Sequence, residues 1–187
     1  MEKYRFGYAK HYQRAHIENP KWFSGQIDPE GAEHVAELVR LTGARRLLDY
    51  GSGKGYQYLR DRVHERWGGI LPHCYDPGVI QLAERPVGQF DGVICTDVAE
   101  HIAKLDLPLF FQDLFSMVRS DRSAFVYFNI FCNPAGKSFP SGLNMHLTVK
   151  PPEWWRQQLR EYERPNLIIR ADYEYVRDYD LQSEGLE

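Results

Sequence analysis

Apolar and polar positions show little clean periodicity before about Ile27, where Tyr, His, Phe, Trp and basic side chains crowd together. Order begins at Asp28-Pro29. Ala32, Val35, Ala36, Leu38 and Val39 then recur at helical spacing. Asp28 is placed to cap this helix, Pro29 to open it and Gly43 to end it. Arg46 to Tyr50 reads as a short buried strand, and Gly51-Ser52-Gly53-Lys54-Gly55 follows at once. A helix is predicted over 56–66, closed by Gly68-Gly69. A second strand spans 70–75, stopped by Asp76-Pro77-Gly78. A short helix is read over 79–84 and a third strand over 90–95. Leu109, Phe110, Leu114, Phe115 and Val118 predict a helix over 107–118. Ala124 to Phe131 is a strongly apolar, aromatic strand. Pro134, Gly136, Pro140 and Gly142 mark a loop. Pro151-Pro152-Glu153 opens a helix to about Tyr162, with Trp154 and Trp155 expected against the sheet. Residues 166–170 and 173–179 read as two last strands, close enough to pair as an antiparallel hairpin.

Strands alternating with helices imply an α/β protein: a Rossmann-like, mostly parallel sheet with helices on both faces and an antiparallel C-terminal edge hairpin. Three stretches are expected: an N-terminal aromatic arm or cap over 1–27, a ligand-binding α/β domain over 28–180, and a flexible tail over 181–187. The 187 residues suffice for one buried core. A net charge of −3 gives no global basic field, so there is no strong nucleic-acid signature. Cys74, Cys95 and Cys132 fit neither a zinc motif nor a disulfide framework and read as buried free thiols. No apolar run approaches membrane-spanning length and the N-terminus lacks the apolar core of a signal peptide. A cytoplasmic protein without a membrane partner is expected; oligomeric state is not legible.

Candidate chemistry concentrates after the first strand. Glycines let a backbone turn tightly and approach a ligand closely, and the following helix N-terminus favours anionic groups. The spacing is Gly-x-Gly-x-Gly, neither the dinucleotide fingerprint nor a P-loop. Asp76 stands 21 positions beyond Gly55 at the end of the next strand. A carboxylate there can accept ribose hydroxyls, or simply cap the turn before Pro77.

Asp49-Tyr50-Gly51-Ser52-Gly53-Lys54-Gly55 resembles motif I of the class I methyltransferases that use S-adenosylmethionine (SAM). Phe90-Asp91-Gly92-Val93, continuing to Asp97-Val98-Ala99-Glu100-His101, resembles their motif IV region. The resemblance covers roughly Leu47 to Phe131. It implies a class I methyltransferase fold and SAM as cofactor, held by Asp49, Gly51, Ser52, Gly53, Gly55, Tyr56, Asp76, Pro77, Asp97 and Val98. It implies that Asp49 meets the SAM amino group and Asp76 the ribose. An acid expected to contact adenine is not obvious before Phe90, where Glu84 and Gln89 are the candidates.

Asp97, Glu100 and His101 lie within five residues, and a helical turn after Asp97 would put them on one face. With His146 they form a candidate metal set of carboxylate and imidazole ligands for Mg²⁺ or Mn²⁺. The pattern is similar to two metal-using branches, the 2′-O-methyltransferases of small-RNA 3′ ends and the ubiquinone-pathway O-methyltransferases. Asp97 stands where the RNA enzymes have Glu. Without a metal, Glu100, His101 and His146 are candidate catalytic groups, or packed side chains.

The sequence reading is thus a SAM-dependent methyltransferase acting on a hydroxyl or amine of a small molecule or nucleotide. The alternatives are a metal-dependent 2′-O-methyltransferase of RNA ends and a non-catalytic sensor or partner subunit that binds SAM or its product. Tyr4, Tyr8, His11, Tyr12, Trp22 and Phe23 in the arm can stack on a ring or contact the sulfonium, or pack on the surface.

Overall fold

A computed structural model describes residues 9–175. The elements, in order, are α1 (Ala9–Glu18), α2 (Pro29–Thr42), β1 (Leu47–Tyr50), α3 (Tyr56–Leu59), β2 (His73–Tyr75), β3 (Gly92–Thr96), α4 (Leu107–Ser116), β4 (Ala124–Phe131), α5 (Pro152–Arg160) and β5 (Leu167–Glu174). Short 3₁₀ turns cover Val63–Trp67, Ile80–Leu82 and Ala99–His101. The strands form one sheet in the order β2-β1-β3-β4-β5, and every neighbouring pair is parallel. The α/β class and the parallel sheet flanked by helices are therefore present, an arrangement compatible with a Rossmann-like fold.

Strand residues alternate between two cores, as a period of two requires. Leu47, Ile94, Phe125 and Tyr127 face α2, meeting Ala32, Val35 and Leu38. Leu48, Tyr50, Val93, Cys95, Val126 and Phe128 face α4 and α5, meeting Phe110, Leu114 and Trp155. Both faces are covered, which is why these strands read as nearly continuous apolar runs. The α2 boundaries follow from their caps. The Asp28 carboxylate accepts from Glu30 N–H (2.8 Å) and Gly31 N–H (2.9 Å), and Gly43 ends the helix in the left-handed conformation.

Two expectations are corrected. The helix predicted over 56–66 is broken: α3 stops at Leu59, and Arg62 takes φ 51° before the Val63–Trp67 turn. Tyr58 and Trp67 are nine positions apart. At about 100° per residue, a continuous helix would place them on opposite faces. The break lets both enter the α2 core, where Trp67 Nε1 donates to Ala32 O (2.9 Å). The antiparallel edge hairpin is also absent among the described residues. β5 runs unbroken through Ala171-Asp172 and pairs in parallel with the whole of β4. No Gly or Pro interrupts it, and Tyr127 OH donates to Asp172 Oδ2 (2.7 Å) where the turn was expected. Residues 176–179 of the second expected strand, and the 181–187 tail, lie outside the described residues.

No helix among the described residues is long and apolar enough to cross a membrane. Cys95 and Cys132 are buried, Cys74 is half-buried, and all three are free.

Candidate functional site

β1 has β2 on one side and β3 on the other, so the chain reverses direction across the sheet between them. A crevice opens beyond the carboxyl ends of strands at such a reversal. A cleft of about 620 Å³ lies there. The loop after β1, the turn after β2, the segment after β3 and the 134–146 loop form its walls, and the N-terminal arm crosses over it.

The loop after β1 makes its tight path with positive φ at Gly51, Gly53 and Gly55. A Cβ on Gly51 would run into the Val98 side chain, and one on Gly53 would come within 2.5 Å of Phe23 O. The loop N–H groups are all taken. Gly51 and Ser52 donate to Tyr75 O (2.7 and 3.2 Å), Gly53 to Asp76 Oδ2 (2.8 Å) and Lys54 to Phe23 O (3.0 Å). Gly55 donates to Ser52 O (3.0 Å) and Tyr56 to Ser24 O (2.8 Å). The Lys54 ammonium is turned away as well, donating to Pro20 O (2.7 Å) and Trp22 O (2.8 Å). The glycines thus let Val98 and the arm pack closely on the loop, which lines the cleft without the free N–H cradle a phosphate needs.

Asp49 lies beneath the loop, outside the cleft lining and 1% exposed. Its Oδ2 accepts from Tyr58 OH (2.7 Å) and Gln57 Nε2 (3.0 Å). Burial lifts its carboxyl to about 7, against the pull of those two hydrogen bonds. Gly55 and Tyr56 also stand outside the lining, whereas Gly51, Ser52, Gly53, Asp76, Pro77, Asp97 and Val98 are in it.

Asp76 ties two turns together. Its Oδ2 takes Gly53 N–H and its Oδ1 takes Gly78 N–H (2.7 Å). Burial raises it to about 6, opposed by these backbone donors. A carboxylate has about four lone-pair sites, so it retains acceptor capacity toward the cleft. Asp97, at φ 55°, leaves β3 in the left-handed region. Its side chain is open to solvent yet ringed by protein. Burial first, then the Glu174 and Asp28 carboxylates, lift it to about 7.

Glu100, His101 and His146 come together as expected, one ligand atom from each lying within 4.8 Å of the others. Asp97 is not in this group. Its left-handed backbone, followed by a 3₁₀ turn at Ala99–His101, replaces the helical face that was to align it. Instead it neighbours Asn129, whose Nδ2 lies 3.5 Å from Asp97 Oδ1. His101 Nδ1 lies 2.9 Å from Met145 O, and His146 Nδ1 lies 2.6 Å from Asn133 O. A carbonyl only accepts, so these contacts place the proton on each Nδ1 and leave each Nε2 with its lone pair. Burial lowers both imidazoles, His101 to about 4 with help from His146. Glu100 is fully buried, with Oε1 accepting from Phe131 N–H (3.2 Å) and Oε2 without a partner. Burial and then Asp97 push its carboxyl well above the ordinary range.

The arm closes the cleft. Tyr12, Trp22 and Phe23 pack with Phe139, Met145 and Ala15 in a small apolar cluster of their own. Tyr12 OH donates to Met145 O (2.7 Å) and stands 3.0 Å from His101 Nδ1. His16, one helical turn along, lines the cleft beside Asp76 and packs against Phe23, the ring centroids 4.7 Å apart and the planes tilted by 38°. Sequence reasoning placed Tyr12 only in an aromatic arm and passed over His16 and Gln57. The spacing of Tyr12 and His16 on one helix face was the available signal. Glu84 and Gln89 do not line the cleft. No family model, curated protein or solved structure matches the chain.

Proposed function

We propose that the protein is a SAM-dependent methyltransferase of the class I type, acting on a hydroxyl or amine of a small molecule or nucleotide. The observation that carries this reading is a crevice at the sheet's switch point whose glycine loop has no N–H left for phosphate, while Asp76 and Asp97 line the wall. A dinucleotide needs a pyrophosphate cradle. An uncharged or cationic ligand needs close approach and nearby carboxylates. SAM, net cationic through its sulfonium and ammonium against one carboxylate, and bearing a ribose, has that character; Lys21 and Lys137 line the same cleft as exposed side chains.

SAM supplies a methyl group already activated on sulfur, so no protein nucleophile is required. The chain's own residues orient and desolvate. Gly51 and Gly53 let Val98 and the arm close on the loop that walls the ligand, and Asp76 accepts sugar hydroxyls. The unprotonated Nε2 of His101 or His146 can take the proton that the acceptor oxygen or nitrogen loses as its new bond to carbon forms. Asp49 serves by bracing Gln57 and Tyr58 under the loop.

The second reading, metal-dependent 2′-O-methylation of RNA ends, is favoured by the Glu100–His101–His146 cluster. Two imidazoles held by carbonyls at Nδ1 and a buried carboxylate oxygen without a partner are what a divalent ion would require. With Asp97 outside the cluster, the donor set of two nitrogens and one oxygen favours Mn²⁺ over Mg²⁺. An ion held there would polarise an acceptor hydroxyl.

Calorimetric titration with SAM, S-adenosylhomocysteine and NAD⁺, each with and without Mn²⁺, tests the proposal. Binding of the first two but not NAD⁺, lost in Gly53→Arg, is expected. Binding of NAD⁺ alone would sink it, and binding without turnover on any acceptor would leave a sensor.

A further inference from the structure

We propose that His16 is a ligand-binding residue which, paired with Asp76, reads the sugar hydroxyls of the bound nucleoside. The inference rests on the nucleoside reading above and adds a residue from outside the sheet. His16 is 8% exposed and its ring borders the cleft. Nδ1 is enclosed by protein, so the ring addresses the corner beside Gly78 and Asp76 through its other edge, Cδ2 and Nε2. A few polar atoms placed at the wall of a cleft are what orient a bound ligand.

The geometry joins His16 to Asp76. The point where a Cβ on Gly78 would stand lies 3.1 Å from Asp76 Oδ1, 3.1 Å from His16 Cδ2 and 3.2 Å from His16 Nε2. A side chain at position 78 would crowd the imidazole and the carboxylate that share that corner. Phe23 packs against the ring at a tilt of 38° and restrains it. Burial, and then the Lys54 ammonium, lower His16 to about 4, so the imidazole is neutral at ordinary pH. At this corner the imidazole offers one nitrogen, Nε2, which donates when it carries the ring's proton, whereas a carboxylate only accepts. Together they match neighbouring hydroxyls, each of which donates and accepts. Tyr12, four residues earlier on the same helix, touches His101. One helix face therefore addresses both the sugar corner and the Glu/His cluster.

The test titrates the full chain with S-adenosylhomocysteine and its 2′-deoxy and 3′-deoxy forms, using wild type, His16→Phe and His16→Gln. The Phe variant keeps an aromatic ring beside Phe23; the Gln variant keeps a donor and an acceptor. Wild type should favour the ribose form by roughly tenfold, the size of one or two net hydrogen bonds. His16→Phe should cut that preference severalfold, leaving the share due to Asp76, while binding a deoxy form as wild type does, and His16→Gln should restore part of it. An unchanged preference in folded His16→Phe, confirmed by circular dichroism, would overturn the role of His16 and leave the nucleoside reading standing. Failure of wild type to bind any of the three would overturn both.

Discussion

The Tyr12 hydroxyl and the His101 imidazole meet at 3.0 Å and share one acceptor, the Met145 carbonyl. A helix from the first stretch of the chain is thereby fastened to a residue that follows β3. The Met145 carbonyl sets His101's tautomer and the Tyr12 hydroxyl beside it helps fix the ring's orientation, the usual work of groups behind a metal-binding or proton-accepting histidine. Tyr12→Phe removes one hydroxyl from this arrangement. We expect Mn²⁺ affinity to fall about tenfold while S-adenosylhomocysteine affinity is unchanged. Unchanged Mn²⁺ affinity by calorimetry would show the contact to be packing alone.

Metal binding should release protons. Burial and the nearby Asp97 raise the Glu100 carboxyl well above the ordinary range, so an ion must compete there with a proton more than at an exposed carboxylate. Mn²⁺ affinity should therefore rise with pH, and calorimetry in buffers of different ionisation enthalpy should register proton release. Affinity that is flat between pH 6 and 8 would contradict a carboxylate ligand at this position.

Nucleoside binding should have its own pH dependence. Asp76 and Asp97 are raised to about 6 and about 7. Both are more protonated than ordinary carboxylates at low pH, and the proposed ligand favours their ionised forms. S-adenosylhomocysteine affinity should climb from pH 5 and level off above about 7. Asp97→Asn should remove the upper part of the climb and leave the lower part.

Asp49 makes the opposite kind of statement, about folding. Its native carboxyl is raised to about 7. The native state holds a proton that the unfolded chain has released, so this group's contribution to stability is lost as pH rises from about 4 to about 7. Asp49→Asn cannot titrate. Its stability relative to wild type should increase between pH 5.5 and 8 in urea denaturation; a constant difference would mean that Asp49 is not perturbed.

Gly53→Ala should loosen the arm. The new methyl meets Phe23 O, and φ 54° is unfavourable for alanine. A cost of about 1–3 kcal/mol is expected, read as a lower melting temperature. Faster protease cleavage near residues 20–26 should accompany it. A lower melting temperature with no change in cleavage would place the strain in the loop alone.

How much of this was legible depended on the distance over which each feature is decided. The caps of α2 and the strand cores showed in the sequence because neighbouring residues decide them. The glycine loop was legible for the same reason. Its use of every N–H was not, because the acceptors at Phe23, Ser24 and Tyr75 come from separate segments. The break at Arg62 was hidden because the local pattern is helical and only the α2 core demands otherwise. Glu100, His101 and His146 were found by residue type. The exclusion of Asp97 from that trio follows from one left-handed backbone angle that no sequence spacing announces.

The arm holds the glycine loop almost wholly through its main chain: the carbonyls of Pro20, Trp22, Phe23 and Ser24 accept, and the loop donates. Such a tether is indifferent to most of the side chains that carry it. Trp22 and Ser24 can drift over generations, redrawing the mouth of the cleft, while the fastening survives. Gly25 and Gly53 cannot drift, since each lies too close to the opposing backbone to accept a methyl group. Evolution therefore has a surface on which to alter what enters the cleft without reopening the question of how the cleft is closed.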